Sequence, residues 1–172
     1  MNDRTILSGE VVLYEDVMHD GAVIIEKGTI ARVCNKRELT PEPGDTAIDC
    51  GDSFICPGFI DLHNQGGGGY SVMNGTPEHI DGMCRAHARH GTTALLLTPL
   101  IETEGYETLL PALAAAVGSD TGGAAILGIH AEGPFVNGRK CGCMPARGIR
   151  PPDRKTLERI LELGGGTIVE MT

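Results

Sequence analysis

The chain has 172 residues, a formal net charge of −9 and 41% hydrophobic residues, which is typical of a soluble globular protein with one sizeable core. The acidic balance and the absence of a basic stripe argue against nucleic acid or an anionic membrane as partner. No apolar run approaches the length of a membrane span, and residues 1–6 are too polar for a signal peptide, so the sequence predicts a cytoplasmic protein.

The cysteine pattern argues against a cysteine-based metal cluster. Of the six cysteines, only Cys141 and Cys143 are close in sequence, and no second pair completes a zinc motif. In a cytoplasmic protein, scattered cysteines are expected to be reduced core residues.

Residues 1–53 are predicted to form a small β module. Short runs rich in β-branched residues show no helical period, and Lys27-Gly28 between two of them indicates a hairpin. The predicted strands are Val11–Tyr14, Ala22–Glu26, Thr29–Val33 and Thr46–Cys50.

Residues 54–172 alternate between apolar strands and amphipathic helices. The predicted strands are 54–63, 92–99, 124–129 and a fourth that begins at Thr167. One predicted helix follows the capping pair Thr76-Pro77 and stops at Gly91, a second runs from Tyr106 to Val117, and a third is capped by Asp153. The third helix is expected to turn Leu157, Ile160 and Leu161 inward.

This alternation is typical of a parallel α/β sheet. A closed (β/α)₈ barrel needs eight strands and about 250 residues, whereas the chain has material for three to four barrel strands. The residue pattern alone leaves two alternatives, an open doubly wound sheet or the N-terminal part of a larger TIM-like barrel.

The segment Gly128–Phe135 concentrates the chemistry. A buried strand delivers His130 and Glu132 at its exit, and residues two apart on a strand point to the same face. Carboxylates at such strand ends are where barrel enzymes place catalytic groups and metal ligands. By contrast, His87 falls on the apolar face of the first helix, where packing is the expected role, and the remaining histidines, His19, His79 and His90, are assigned no chemistry.

Several phrases closely resemble the N-acetylglucosamine-6-phosphate deacetylases of the amidohydrolase superfamily. They are Pro57-Gly58-Phe59-Ile60-Asp61-Leu62-His63, Gly91-Thr92-Thr93, Thr98-Pro99 and, most specifically, His130-Ala131-Glu132-Gly133-Pro134-Phe135. Residues 20–30 are also similar to the N-terminal strands of those enzymes. The resemblance implies a urease-like composite β-sandwich for residues 1–53 and the N-terminal part of the amidohydrolase barrel for residues 54–172.

The resemblance also implies the chemistry: a metal-dependent hydrolase that releases acetate from N-acetylglucosamine 6-phosphate and leaves glucosamine 6-phosphate. Glu132 is expected to bind a divalent metal, with His63 as a possible second ligand. Zinc is the expected ion, with iron, manganese and cobalt as alternatives. The general acid/base Asp and two further His ligands would lie beyond Thr172, so the isolated chain is expected to lack turnover. Family members often form dimers.

Two departures from the family pattern bear on specificity. The first barrel strand ends in His63-Asn64-Gln65 instead of His-x-His or Gln-x-Asn, and Gln65 is a weak ligand, so the pair could instead line the pocket by hydrogen bonding. After Lys140 the chain reads Cys141-Gly142-Cys143-Met144, in a loop that approaches the sugar in the family. Gln65, His130, Cys143 and Met144 are therefore predicted substrate contacts.

Two other functions stay open on the sequence alone. One is another amidohydrolase that acts on a different N-acyl or cyclic amide, and the other is a catalytically inactive fragment that needs a partner chain. A catalytic zinc site needs about three protein ligands and a vacancy, and this chain offers Glu132 with at most His63 beside it.

Overall fold

A computed structural model describes residues 3–102 and 104–172. The chain divides into two compact units, residues 1–57 and 58–172. The fourth strand runs through position 53, so the division falls slightly later than the sequence pattern places it.

The first unit contains a four-stranded sheet in the order β3-β2-β1-β4. Its strands are β1 (Arg4–Val12), β2 (Val17–Glu26), β3 (Thr29–Asn35) and β4 (Thr46–Ile55). β2 is antiparallel to β1 and β3, whereas β4 is parallel to β1. The predicted hairpin at Lys27-Gly28 is confirmed: both residues have positive φ, 52° and 73°, as a tight two-residue turn requires.

Strand β1 was predicted as 11–14 but spans Arg4–Val12, and Leu13 and Tyr14 lie outside it. β1 pairs with β2 on one side and with β4 on the other. This pairing extends the strand over polar residues that interrupt its apolar pattern in the sequence. Arg4, in the same strand, is a buried charged residue, and its guanidinium donates to the Asp45 carboxylate at 2.9 Å.

The second unit contains a four-stranded parallel sheet in the order β10-β9-β8-β5 and a small antiparallel hairpin. Its strands are β5 (Phe59–Asn64), the hairpin strands β6 (Gly66–Gly67) and β7 (Tyr70–Ser71), β8 (Thr92–Leu97), β9 (Ala125–Ala131) and β10 (Ile168–Met171). Its helices are α1 (Pro77–Ala88), α2 (Tyr106–Ala116) and α3 (Arg154–Leu163).

The parallel strands follow one another across the sheet in chain order, without the reversal that defines a doubly wound sheet. One apolar core takes residues from all three helices and from the sheet, including Met83, Leu97, Leu113, Ile129 and Ile160. Successive neighbouring strands joined by helices are the arrangement of a (β/α) barrel, so the observed order favours the partial barrel over the open doubly wound alternative.

Two details of the second unit differ from the sequence predictions. The predicted strand 54–63 is split between β4 and β5, because Pro57 has no N–H to donate to a sheet. The next residue, Gly58, lies so close to Thr93 that a Cβ there would be 2.0 Å from the threonine methyl. On α3, Ile160 is buried as predicted, but Leu161 is 47% exposed. Leu163 packs against the core in its place.

Both predicted helix starts at capping residues are confirmed. The Thr76 side chain accepts from the His79 N–H before α1, and Asp153 accepts from the Thr156 N–H before α3. Within residues 3–102 and 104–172, no helix combines the length and the apolar character needed to cross a lipid bilayer.

Candidate active site

Glu132 lies at the carboxyl end of the parallel sheet, one residue beyond β9. Its N–H donates to the Pro99 carbonyl at 3.0 Å, and its own carbonyl accepts from the Ile101 N–H at 2.8 Å. These bonds continue the parallel pairing beyond the ends of β8 and β9. The sheet therefore fixes the backbone of Glu132, and the direction of the carboxylate depends on the contacts of its side chain.

The end of β5 brings two further polar side chains to the same carboxylate. Gln65 Nε2 donates to Glu132 Oε2 at 2.5 Å, and His63 Nε2 lies 3.4 Å from that oxygen. The Glu132 side chain is 15% exposed and the His63 side chain 52%. Three residues that the sequence predicted for the site therefore meet at one carboxylate oxygen, which lies beside the half-exposed His63 side chain.

His130 packs against His63, and both of its ring nitrogens have partners. The ring is 5% exposed, with Nδ1 3.0 Å from the Leu62 carbonyl and Nε2 2.7 Å from Thr172 Oγ1. A neutral imidazole satisfies both partners if Nδ1–H donates to the carbonyl and Nε2 accepts from the hydroxyl. The ring also packs edge-on against His63, with centroids 4.9 Å apart at 85°. His130 thus orients the end of β5.

The loop that follows Glu132 packs back beneath it. Met144 is 3% exposed, and its methyl group lies where a side chain at Gly133 would be, 2.5 Å from the Cβ position. Gly133 has a φ of 85°, a backbone conformation that favours glycine. Arg147 pairs with Glu102 at 2.8 Å and ties the loop to the segment after β8. Cys143 is exposed in the same loop.

The remaining cysteines agree only in part with the prediction of small core residues. All six are free thiols; Cys34 and Cys84 are buried, whereas Cys56 and Cys143 are exposed. Burial raises the pKa of the Cys84 thiol, which keeps this side chain protonated and unreactive.

The side chains around Glu132 match the ligand types of a divalent metal but not the number. Carboxylate and imidazole are ligand types that zinc accepts, and Glu132 with His63 offers one of each close together. In the described part of the chain, however, no cluster of three or more His, Cys, Asp or Glu side chains has the geometry of a metal site. The residues fit a metal centre in kind and supply part of the number it needs. A cleft of about 540 Å³ beside α2, lined by residues such as Glu102 and Tyr106, does not include Glu132.

Sequence analysis did not find every residue that shapes the site. Thr98, fully buried, accepts from the Asn64 N–H at 2.9 Å, and His87 of α1 reaches the same asparagine at 2.9 Å. The sequence signals were indirect: Thr98 belongs to a phrase that resembles the family, and His87 is a histidine at helical spacing among apolar residues, close to a run of four glycines.

Comparisons with known proteins identify relatives along almost the whole chain. It is 33% identical over 166 residues to an N-acetylglucosamine-6-phosphate deacetylase from Bacillus subtilis, covering 94% of this chain and 42% of the relative. It is 30% identical to the Bos taurus enzyme of the same name, covering 94% and 39%. The chain therefore spans about two fifths of the length of the curated relatives it matches. No protein-family model matches it.

The fold comparison gives the same result. A solved structure of N-acetyl-D-glucosamine-6-phosphate deacetylase from Mycobacterium smegmatis, in complex with N-acetyl-D-glucosamine-6-phosphate, superposes with a TM-score of 0.83 at 25% identity. The superposition covers 98% of this chain and 43% of that structure.

Proposed function

Because the chain belongs to the N-acetylglucosamine-6-phosphate deacetylase family, we propose that it contributes part of an active site that hydrolyses N-acetylglucosamine 6-phosphate to glucosamine 6-phosphate and acetate. The observation that carries the proposal is the convergence of Gln65 and His63 on the Glu132 carboxylate at the carboxyl end of a parallel sheet. That end is where barrel enzymes hold their catalytic groups.

In this proposal Glu132 is a metal ligand and His63 a second one, with zinc as the expected ion and iron, manganese or cobalt as alternatives. A divalent ion at such a site polarises an amide carbonyl and lowers the pKa of water. The Gln65 side-chain amide donates to one oxygen of the Glu132 carboxylate. This hydrogen bond orients the carboxylate and so determines where its second oxygen points. The general acid/base Asp is expected outside residues 1–172.

The contacts of the other predicted residues support different roles. His130 uses both ring nitrogens within the fold, which favours positioning of the His63 segment over direct contact with a sugar. Met144 is buried beneath Gly133, whereas Cys143 is exposed and is the better candidate for a substrate contact in this loop. Hydrolysis of a different N-acyl or cyclic amide stays an alternative function. Dimer formation and a cytoplasmic location stay predictions.

Metal binding by Glu132 is tested by titrating the purified chain with Co²⁺ and following visible absorption. We expect weak, saturable binding that E132Q weakens by at least about tenfold, or about 1.4 kcal/mol, because the amide cannot replace the charge of the carboxylate. E158Q is the matched control, since Glu158 is an exposed residue of α3 paired with Arg154; it should bind as the wild type does. Equal affinity in E132Q and wild type would contradict the assignment.

A further inference from the structure

Three backbone hydrogen bonds hold the segment that carries Gln65. The Asn64 carbonyl accepts from the Thr98 N–H at 2.8 Å, and the Gln65 carbonyl accepts from the Val72 N–H at 3.0 Å. Thr98 also binds the Asn64 N–H through its hydroxyl. A side chain that starts from such a fixed backbone has few directions open to it, so the Gln65 contact with Glu132 depends on what holds this segment.

His87 contacts the segment on both sides of Gln65. Its Nε2 lies 2.9 Å from Asn64 Nδ2 and 3.2 Å from the Gly66 carbonyl. Asn64 is 3% exposed, and its Nδ2 also donates to Asp61 at 2.7 Å. A single ring nitrogen is thus close to both neighbours of the residue that caps Glu132.

Two glycines of the run after Gln65 allow α1 to approach closely. A Cβ at Gly67 would lie 2.5 Å from His87 Nε2, and one at Gly68 would lie 2.6 Å from the Ala86 methyl. In the opposite direction, a Cβ at Gly82 of α1 would lie 2.5 Å from the Tyr70 ring. These glycines bring the helix and the β6–β7 hairpin into contact, which lets the imidazole reach the backbone beside Gln65.

We propose that His87 is a positioning residue: its Nε2 accepts from the Asn64 side-chain N–H, and by holding Asn64 beside Gln65 it fixes the direction in which the Gln65 amide donates to Glu132. The consequence is that α1, which contributes no residue to the carboxylate itself, determines how Glu132 is presented. This deepens the proposed function, because the orientation matters only if Glu132 is a ligand. The Gln65–Glu132 contact can nevertheless be measured without any turnover.

The alternative is that His87 only fills space between α1 and the hairpin. Two substitutions separate these roles. H87F keeps a ring of similar volume and loses the nitrogen that accepts from Asn64, whereas H87Q loses the ring but offers an amide oxygen that can accept from Asn64. The same substitutions at His90, exposed just beyond α1, are the matched controls.

The measurement is the NMR resonance of the Gln65 side-chain amide in the full chain, with E132A as the reference for an amide without its carboxylate partner. We expect H87F to move the signal most of the way toward its position in E132A, and H87Q, H90F and H90Q to leave it near the wild-type position. If His87 only filled space, H87Q would not keep the Gln65 signal at its wild-type position while H87F displaced it.

Three results would overturn the proposal: a wild-type Gln65 signal in H87F, equal displacement in H87F and H87Q, or no difference between E132A and wild type. If H87F does not fold, H87A takes its place, and if neither folds, His87 acts on the stability of the fold and the positioning role is wrong. Metal titration and acetate release judge the proposed function separately, so either idea can fail without the other.

Discussion

Met144 is the residue at which two interpretations of the site differ most clearly. The sequence predicted a substrate contact, because the loop after Lys140 departs from the family pattern there. The structure places the side chain under Gly133, next to the turn that follows Glu132, with its sulfur 3.3 Å from where a Cβ at Gly148 would be. Packing alone therefore accounts for its position, and the role in substrate binding stays a prediction.

The two roles predict different stabilities for M144A. If Met144 is a packing residue, its truncation leaves a cavity and lowers the free energy of unfolding by about 2–3 kcal/mol in urea denaturation. M73A is the control, since Met73 is 38% exposed and should cost less than about 1 kcal/mol. A change of less than about 0.5 kcal/mol in M144A would instead indicate a side chain free to meet a ligand.

Strand periodicity could predict that His130 and Glu132 lie together, but not what the His130 ring binds. Its partners, the Leu62 carbonyl and the Thr172 hydroxyl, are brought to it by the folded sheet and leave no trace in local sequence. His87 shows the same limit. Helical spacing places it against the rest of the unit, yet its bond to Asn64 and its close contact with Gly66 depend on the approach that the glycines permit.

At the scale of elements, boundaries set by capping chemistry could be predicted and those set by pairing could not. Thr76 and Asp153 start α1 and α3 because each side chain accepts a backbone N–H that the first helical turn leaves unpaired. β1 begins earlier than its apolar run because strands on both sides pair with it. Leu161 shows that spacing defines an apolar stripe but not its edges, since Leu163 packs against the core instead.

The Asp153 cap gives α3 a predictable pH dependence. Hydrogen bonds from the Thr156 side chain and backbone lower the pKa of Asp153 below its usual 3.8. A lowered folded-state pKa means that the stabilisation is present above about pH 4 and is lost as the pH falls through the folded-state value. D153N keeps the accepting oxygen without the charge, so the stability difference between wild type and D153N should shrink as the pH falls from about 5 toward 2.

The measurement is urea denaturation across this pH range, with D153A as the comparison. Alanine removes the accepting oxygen as well as the charge, so D153A should remain less stable than D153N throughout. A wild-type advantage over D153N that is constant with pH would show that the charge of Asp153 does not stabilise α3.

At the scale of the whole molecule, the parallel sheet of the second unit carries large apolar side chains that the described residues do not cover. Ile60, Leu62, Leu127 and Val169 are each about half exposed or more. The chain also spans about two fifths of its relatives' length, and its described residues include no cluster of three or more His, Cys, Asp or Glu side chains that could hold a metal ion. Fold class and the position of Glu132 could be predicted from strand–helix alternation and the His-x-Glu-Gly-Pro phrase. The resemblance also predicted that the chain carries only part of the active site. The hydrogen bond from Gln65 to Glu132 could not be predicted, because residues from separate strands meet only in the folded protein.

The most direct test of this account is acetate release from N-acetylglucosamine 6-phosphate. It is measured for the chain alone and for the chain fused to the portion of the Bacillus subtilis relative that it does not match. We expect no turnover by the chain alone, turnover by the fusion, and a loss of at least about 100-fold in the E132Q fusion, because changes to groups that merely support a metal ligand already cost 10–100-fold. Turnover by the E132Q fusion at the rate of the unaltered fusion would contradict the central claim that Glu132 holds the catalytic metal.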